Sequence, residues 1–171
     1  WACLASSSSQ NATFINNSCY NTGRVTHGSI LLSNESEVST RGSGIKFLNN
    51  IFYGSSNRPI LKITSNAIAD YSTLTFDYNI YYNGANAPTF SSSDNFSTPI
   101  SFSAWLTTYQ TLTGHVDHSK VTDPLFSTTT GGTPLTLSSG SPAINAGVAT
   151  SLVPVDARNV ARPQGAGIDI G

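Results

Sequence analysis

Phe14-Ile15-Asn16-Asn17-Ser18-Cys19-Tyr20 contains a frame, Phe-x-x-Asn-x-x-Tyr, that returns as Phe47-Leu48-Asn49-Asn50-Ile51-Phe52-Tyr53 and again as Phe76-Asp77-Tyr78-Asn79-Ile80-Tyr81-Tyr82. Asn17 and Asn50 are 33 positions apart and Asn50 and Asn79 are 29 apart. The last two copies stay in phase as far as Asn57-Arg58-Pro59 and Asn86-Ala87-Pro88. Self-similarity at this spacing marks a chain that stacks one small unit on the next. If Phe14, Phe47 and Phe76 point inward, strand alternation turns Ala12, Ile45 and Leu74 inward and leaves Thr13, Lys46 and Thr75 to solvent. A bend at Asn17, Asn50 and Asn79 then starts a second run with Cys19, Phe52 and Tyr81 inside and Tyr20, Tyr53 and Tyr82 outside. Asparagine tolerates the backbone of a sharp turn. Its amide can also bond the copies above and below, each bond contributing about 0.5–1.5 kcal/mol. Phe14, Phe47, Phe76 and Asn17, Asn50, Asn79 are therefore read as structural ladders.

Further strand-like runs follow, Ser29-Ile30-Leu31-Leu32 and Pro59-Ile60-Leu61-Lys62-Ile63, so each repeat supplies two or three short strands. Stacked parallel, equivalent strands lie about 4.8 Å apart. Gly, Ser, Asn and Pro interrupt every helical pattern except 103–113, where Trp105, Leu106, Tyr109 and Leu112 keep a helical period. The copies end near residue 90. A loop-rich segment covers 91–130, with a further turn at Gly131-Gly132, and a different pattern fills 131–171, all within one domain, 1–171.

The 171 residues are 10% charged with a formal net charge of -1, and Lys and Arg together number 8. Such a surface cannot exchange phosphate counterions, which excludes a nucleic-acid binder. The Ser, Thr and Asn that replace charge suit hydrogen bonding to sugar-like partners. No uninterrupted apolar run approaches the length a bilayer crossing demands, so no membrane span is expected. The chain starts at Trp1 and contains no Met, and it is read as the C-terminal part of a longer protein. Cys19 occupies a core position of the repeat, which favours a small buried residue over a Cys3–Cys19 bridge in an oxidising compartment. Acceptor sequons occur at Asn11, Asn16, Asn34 and Asn95.

The C-terminal pattern reads Asp123-Pro124-Leu125-Phe126, Leu135-Thr136-Leu137, Gly140-Ser141-Pro142-Ala143-Ile144-Asn145-Ala146-Gly147, Asp156, Arg162-Pro163 and Gly167-Ile168-Asp169-Ile170-Gly171. It resembles the closing segment of secreted bacterial right-handed parallel β-helix proteins of the pectate-lyase-like superfamily. The resemblance covers roughly 115–171, and the Asn-bearing coils agree with it. It implies an all-β, right-handed parallel β-helix of few coils with a closing segment, secreted or at a cell surface. It implies no single activity, since lyases, hydrolases, epimerases and adhesins share the architecture.

The residues offer several candidate sites and no complete catalytic one. The outward Tyr20, Tyr53 and Tyr82 could present rings and hydroxyls to a glycan. Outward Ile51 and Ile80 call for a cover over the same region, for which 84–130 is available. Among the bases near the coils, Arg24, Lys46, Arg58 and Lys62, Lys46 is best placed to neutralise a uronate beside the Tyr53 row, as a polysaccharide lyase would require. Asp70 and Asp77 are the nearest carboxylate pair but occupy unrelated positions, unlike a glycosidase pair. Gly114-His115-Val116-Asp117-His118-Ser119 is the densest cluster of titratable groups, read as a structural loop because its spacing matches no zinc signature. Asp123, Asp156 and Asp169 are read as turn caps or partners of Arg158 and Arg162. No metal site or cofactor is expected; calcium is conceivable, but these coils lack paired acids. Two functions follow: polysaccharide binding or processing, or a non-enzymatic adhesin or filament-forming unit that stacks through its open coil end.

Overall fold

The computed structural model describes residues 2–24, 27–35, 39–55, 57–129 and 135–171; the expected turn at Gly131-Gly132 lies outside them. The first repeat supplies β1 (Leu4–Ser7), β2 (Thr13–Ile15) and β3 (Ser18–Thr22). The second supplies β4 (Ile30–Ser33), β5 (Lys46–Leu48) and β6 (Ile51–Gly54), and the third β7 (Leu61–Ile63), β8 (Thr75–Asp77) and β9 (Ile80–Tyr82). Equivalent strands pair in parallel, with Phe14 opposite Phe47 and Phe47 opposite Phe76. Ile30 stands opposite Leu61 and Ile51 opposite Ile80. Each repeat thus gives one strand to each of three sheets. The molecule is mostly strand in parallel sheets, an arrangement compatible with a solenoid.

A fourth layer follows although its sequence is no copy of the frame. β10 (Thr89–Ser92) adds to β7, β11 (Ile100–Ser101) turns back antiparallel on β10, and α1 spans Phe102–Thr113. β12 (Lys120–Val121) then adds to β9. The helix expected at 103–113 is present, begun by the Ser101 side chain accepting from the Ala104 N–H and stopped by Gly114 at φ 72°. It stands where a fourth strand of the middle sheet would lie. The Tyr109 hydroxyl accepts from the Phe76 N–H at 2.9 Å, and His115 Nδ1 lies 3.1 Å from the Leu74 carbonyl. Both β8-side groups would otherwise be buried without a partner.

The interior is built from columns. Phe14, Phe47 and Phe76 stack at 4.8 and 5.0 Å between centroids, their planes nearly parallel, and Trp105 meets Phe76 edge-on at 5.7 Å. Phe52 and Tyr81 form a second column that reaches Phe90. Beneath Phe52, Cys19 is both buried and bonded to Cys3, so the two readings of this cysteine hold together. Each fully buried ring contributes about 1.5–3 kcal/mol.

The asparagine ladder is present, but the bend is one residue earlier than expected. Positive φ falls on Asn16, Asn49 and Tyr78, at 53°, 55° and 53°. Asn17, Asn50 and Asn79 are thereby freed to aim their amides along the stack. Asn50 Oδ1 accepts from the Asn17 N–H and Nδ2, and Asn79 Oδ1 accepts from the Asn50 N–H and Nδ2, all at 2.9–3.0 Å. Ser119 ends the ladder: its hydroxyl accepts from the Asn79 N–H at 2.8 Å.

The outward Ile51 and Ile80 are covered by the C-terminal segment rather than by 84–130 in general. Ala143 and Ile170 pack on them with Phe126, Leu137 and Ala146, where β13 (Phe126–Thr128) and β14 (Thr136–Leu137) form a small antiparallel pair. The left-handed Asn49 holds this segment, its Oδ1 accepting from the Val148 N–H and its Nδ2 donating to the Val148 carbonyl, at 2.8 and 2.9 Å. Asn16 Nδ2 donates to the Asp169 carbonyl. The approach is close enough that a Cβ on Gly147 would lie 2.9 Å from Asn49 Oδ1.

Candidate functional site

Three places gather polar or aromatic groups on this frame. The first is the expected tyrosine column. Tyr20, Tyr53 and Tyr82 extend outward from β3, β6 and β9 with centroids 4.7 and 4.9 Å apart, and they are partly exposed. Successive rings are tilted by 57° and 82°, so the column is a ridge and not a flat platform. Phe126 meets Tyr20 edge-on. Beside the ridge lies a cleft of 280 Å³ lined by Tyr20, Tyr53, Asp123, Phe126, Thr129 and Ser138 among others. Burial and the neighbouring tyrosines raise the Tyr53 phenol above its ordinary value, and burial with the Asp123 carboxylate raises Tyr82. Both of these phenols therefore remain hydroxyl donors at neutral pH, and among the described residues lining the cleft the one charge, Asp123, is negative.

Lys46 does not join this column. It lies on β5, beyond the Asn49-Asn50 bend, exposed on the outer face of the middle sheet. There it shares a face with Asp77, which stands opposite Leu48 two positions along the neighbouring strand. Asp77 belongs to the second place, at the β8 corner. Its Oδ1 accepts from the His118 N–H at 2.7 Å and lies 2.9 Å from His118 Nδ1. A carboxylate accepts, so His118 donates to it through Nδ1, which leaves Nε2 outside the pair. The imidazole stacks on Tyr78 at 5.0 Å and is 54% exposed. Sequence reasoning misses this pair because its members are far apart along the chain and only Asp77 lies within the repeat, at a position where the other copies carry Ile15 and Leu48.

Asp117, beside His118, turns inward. Its Oδ1 accepts from the Ser119 N–H while Oδ2 is buried without a partner, and burial raises its carboxyl to about 6. His115 bonds back to the coil. The 114–119 cluster is thus dispersed in three directions, and no group of three His, Cys, Asp or Glu that could hold a metal occurs among the described residues. Asp70 caps the short turn Tyr71–Thr73 and does not meet Asp77.

The third place is an 840 Å³ cavity between the first coil and the C-terminal segment, lined by Asn16, Asn17, Asp156, Arg158, Arg162 and Asp169 among others. Asp156 accepts from the Arg158 and Val160 N–H groups and pairs with the Arg158 guanidinium. Asp169 accepts from the Asn145 N–H, and Asp123 from that of Leu125. These acids serve as turn caps, as expected, while Arg162 donates to the Gly171 carbonyl instead of to an acid. The acids of the cavity are committed to holding the segment together. No helix among the described residues is long and apolar enough to cross a membrane.

No family model matches the chain, and no curated protein or solved structure matches it either.

Proposed function

We propose that the chain is the C-terminal part of a right-handed parallel β-helix of the pectate-lyase-like kind, and that it binds polysaccharide outside the cell. Parallel strands joined across one sheet are nearly always connected right-handedly, which supports the handedness. The Cys3–Cys19 bond supports an oxidising, secreted or cell-surface location. The observation that carries the binding role is the in-register ridge of Tyr20, Tyr53 and Tyr82 beside the cleft with Asp123. Tyrosine offers an apolar ring face and a hydroxyl to a sugar, and a carboxylate accepts from two neighbouring sugar hydroxyls. With a negative charge and no cation among the described residues that line the cleft, the favoured ligand is a neutral polysaccharide rather than a uronate polymer. The cleft holds about one sugar ring, so the rest of a polymer would follow the ridge.

The β8 corner supports a second role on the other face. His118, oriented by Asp77, can take a proton through Nε2, and Lys46 on the same face can neutralise an acidic sugar. One experiment addresses both readings. Neutral and uronate oligosaccharides are titrated into the protein by calorimetry, and each mixture is then analysed for cleavage products. Neutral oligosaccharides should bind, and Tyr53→Ala should weaken them about tenfold, in line with losing one aromatic contact. Equal affinity in Tyr53→Ala rejects the ridge. Uronate cleavage abolished by His118→Gln would support the corner as a processing site, and an absence of products removes that role.

A further inference from the structure

One wall of the cleft beside the tyrosine ridge is aliphatic. Leu125 lines it together with Tyr20, Tyr53, Asp123, Phe126 and Ser138. The leucine is 42% exposed and belongs to neither hydrophobic cluster of the described residues. Its backbone is left-handed, at φ 52°. Of the ten non-glycine residues with positive φ among the described ones, seven are asparagine, the side chain that tolerates this conformation best. The other two exceptions each have a local reason. Ser8 Oγ donates to Asn34 Oδ1, and the Tyr78 ring stacks on His118. An isobutyl group can form neither contact.

The turn that carries Leu125 is fixed through its polar groups. The Leu125 N–H donates to Asp123 Oδ1 at 2.8 Å, and its carbonyl accepts from the Ser138 N–H at 2.8 Å. The Pro124 carbonyl accepts from Ser141 Oγ at 2.6 Å. These bonds hold the strained backbone in place and set a large apolar side chain next to the carboxylate that constrains it. Neither the turn nor the core calls for leucine: glycine or asparagine would form the same backbone bonds at less conformational cost. Residues kept in such a conformation by their surroundings gather at ligand clamps.

We infer that Leu125 is the specificity-determining residue of this cleft, and that the glycan it selects is a neutral one whose sugars carry N-acetyl groups. The inference rests on the tyrosine ridge being a glycan site and names the sugar that the site prefers. A sugar hydroxyl satisfies Asp123 but leaves the isobutyl group facing water. An acetamido group has both of the parts that this wall asks for. Its N–H donates to Asp123, whose carboxylate keeps lone pairs free after accepting from Leu125, and its methyl covers Leu125. Its carbonyl is an acceptor for a phenol, and the Tyr53 hydroxyl lines the same cleft.

The test titrates tetrasaccharides of N-acetylglucosamine, glucose and glucosamine, all of one linkage, into the protein by calorimetry. They differ at a single substituent on each ring. The N-acetylated tetramer should bind about tenfold more tightly than the glucose tetramer, the scale on which a pocket reads one methyl group. Leu125→Asn suits the left-handed backbone. It should abolish that preference, leave the affinity for the glucose tetramer unchanged, and keep the urea midpoint equal or higher. Equal binding of the two tetramers by the native protein, or a preference that survives Leu125→Asn, overturns the inference and leaves the ridge standing. Tightest binding by the glucosamine tetramer also overturns it, because charge on Asp123 would then decide. A Leu125→Asn chain that unfolds more readily shows a structural leucine and overturns it as well. Should none of the tetramers bind, the inference and the ridge fail together.

Discussion

Asp117 shows how one side chain can oppose the fold it belongs to. It lies beside the rung where Ser119 ends the ladder, with one carboxylate oxygen bonded and the other sealed away. Burial raises it from 3.8 to about 6 against the lowering effect of the Ser119 bonds. The folded state therefore holds this proton more tightly than the unfolded chain does. Below about pH 4 both states are protonated and there is little cost; stability falls between about pH 4 and 6 and the full penalty, about 3 kcal/mol, applies above. Asp117→Asn, which keeps an acceptor for the Ser119 N–H, should raise the urea midpoint at pH 7.5 and leave it nearly unchanged at pH 4. An equal gain at both pH values would mean that ionisation is not the cause. The Phe, Asn and Tyr columns were legible in the sequence because each recurs in phase with the others. Ser119 was not legible as a rung: it lies well beyond Asn79, in a coil that carries no Phe-x-x-Asn frame. Nor was the bend itself, since tyrosine at 78 gives no hint of the left-handed backbone that Asn16 and Asn49 suggest at the equivalent positions.

Among the elements, α1 has the most specific task. Its period predicted a helix with Trp105 and Tyr109 on one face, and those two residues are its large buried side chains. Periodicity could not say what they would meet. Trp105 continues the Phe76 and Phe90 columns, while the Tyr109 hydroxyl substitutes for a strand by bonding the Phe76 N–H. Burial raises the Tyr109 phenol to about 12, so it stays protonated over any ordinary pH range. Tyr109→Phe retains the packing and strands a buried N–H, which should cost about 1–3 kcal/mol. The Phe76 amide should lose exchange protection more than any amide in β2. Uniform deprotection along the chain would show that the hydroxyl has no local role. The β13–β14 pair and the segment after it were legible as a separate pattern, but their docking on Asn16 and Asn49 was not. No docking role was legible for those asparagines, whereas their left-handed backbone turns a second row of amides outward.

Across the whole molecule, cohesion is spread along the stack, and the strands of the first coil are each paired on one side. The Cys3–Cys19 bond closes a span of 16 residues there. Replacing both cysteines by serine should cost about 3 kcal/mol. The loss should be seen first as faster exchange in β1 and β3, and a simultaneous loss in β7 to β9 would argue against an end-localised staple. The corners of the stack also set what can be inserted into it. Between the middle and third sheets the chain turns in two residues every time, Asn16-Asn17, Asn49-Asn50 and Tyr78-Asn79, one bent and one bonded. A third residue there would rotate the next strand and silence a rung. The other two corners, with a one-residue register shift between β3 and β6, carry the difference in length between successive repeats. Evolution or an engineer wishing to graft a new recognition loop has only those two corners to write on. The two-residue corner acts as the binding of the book, and its pages can lengthen only at the free margins.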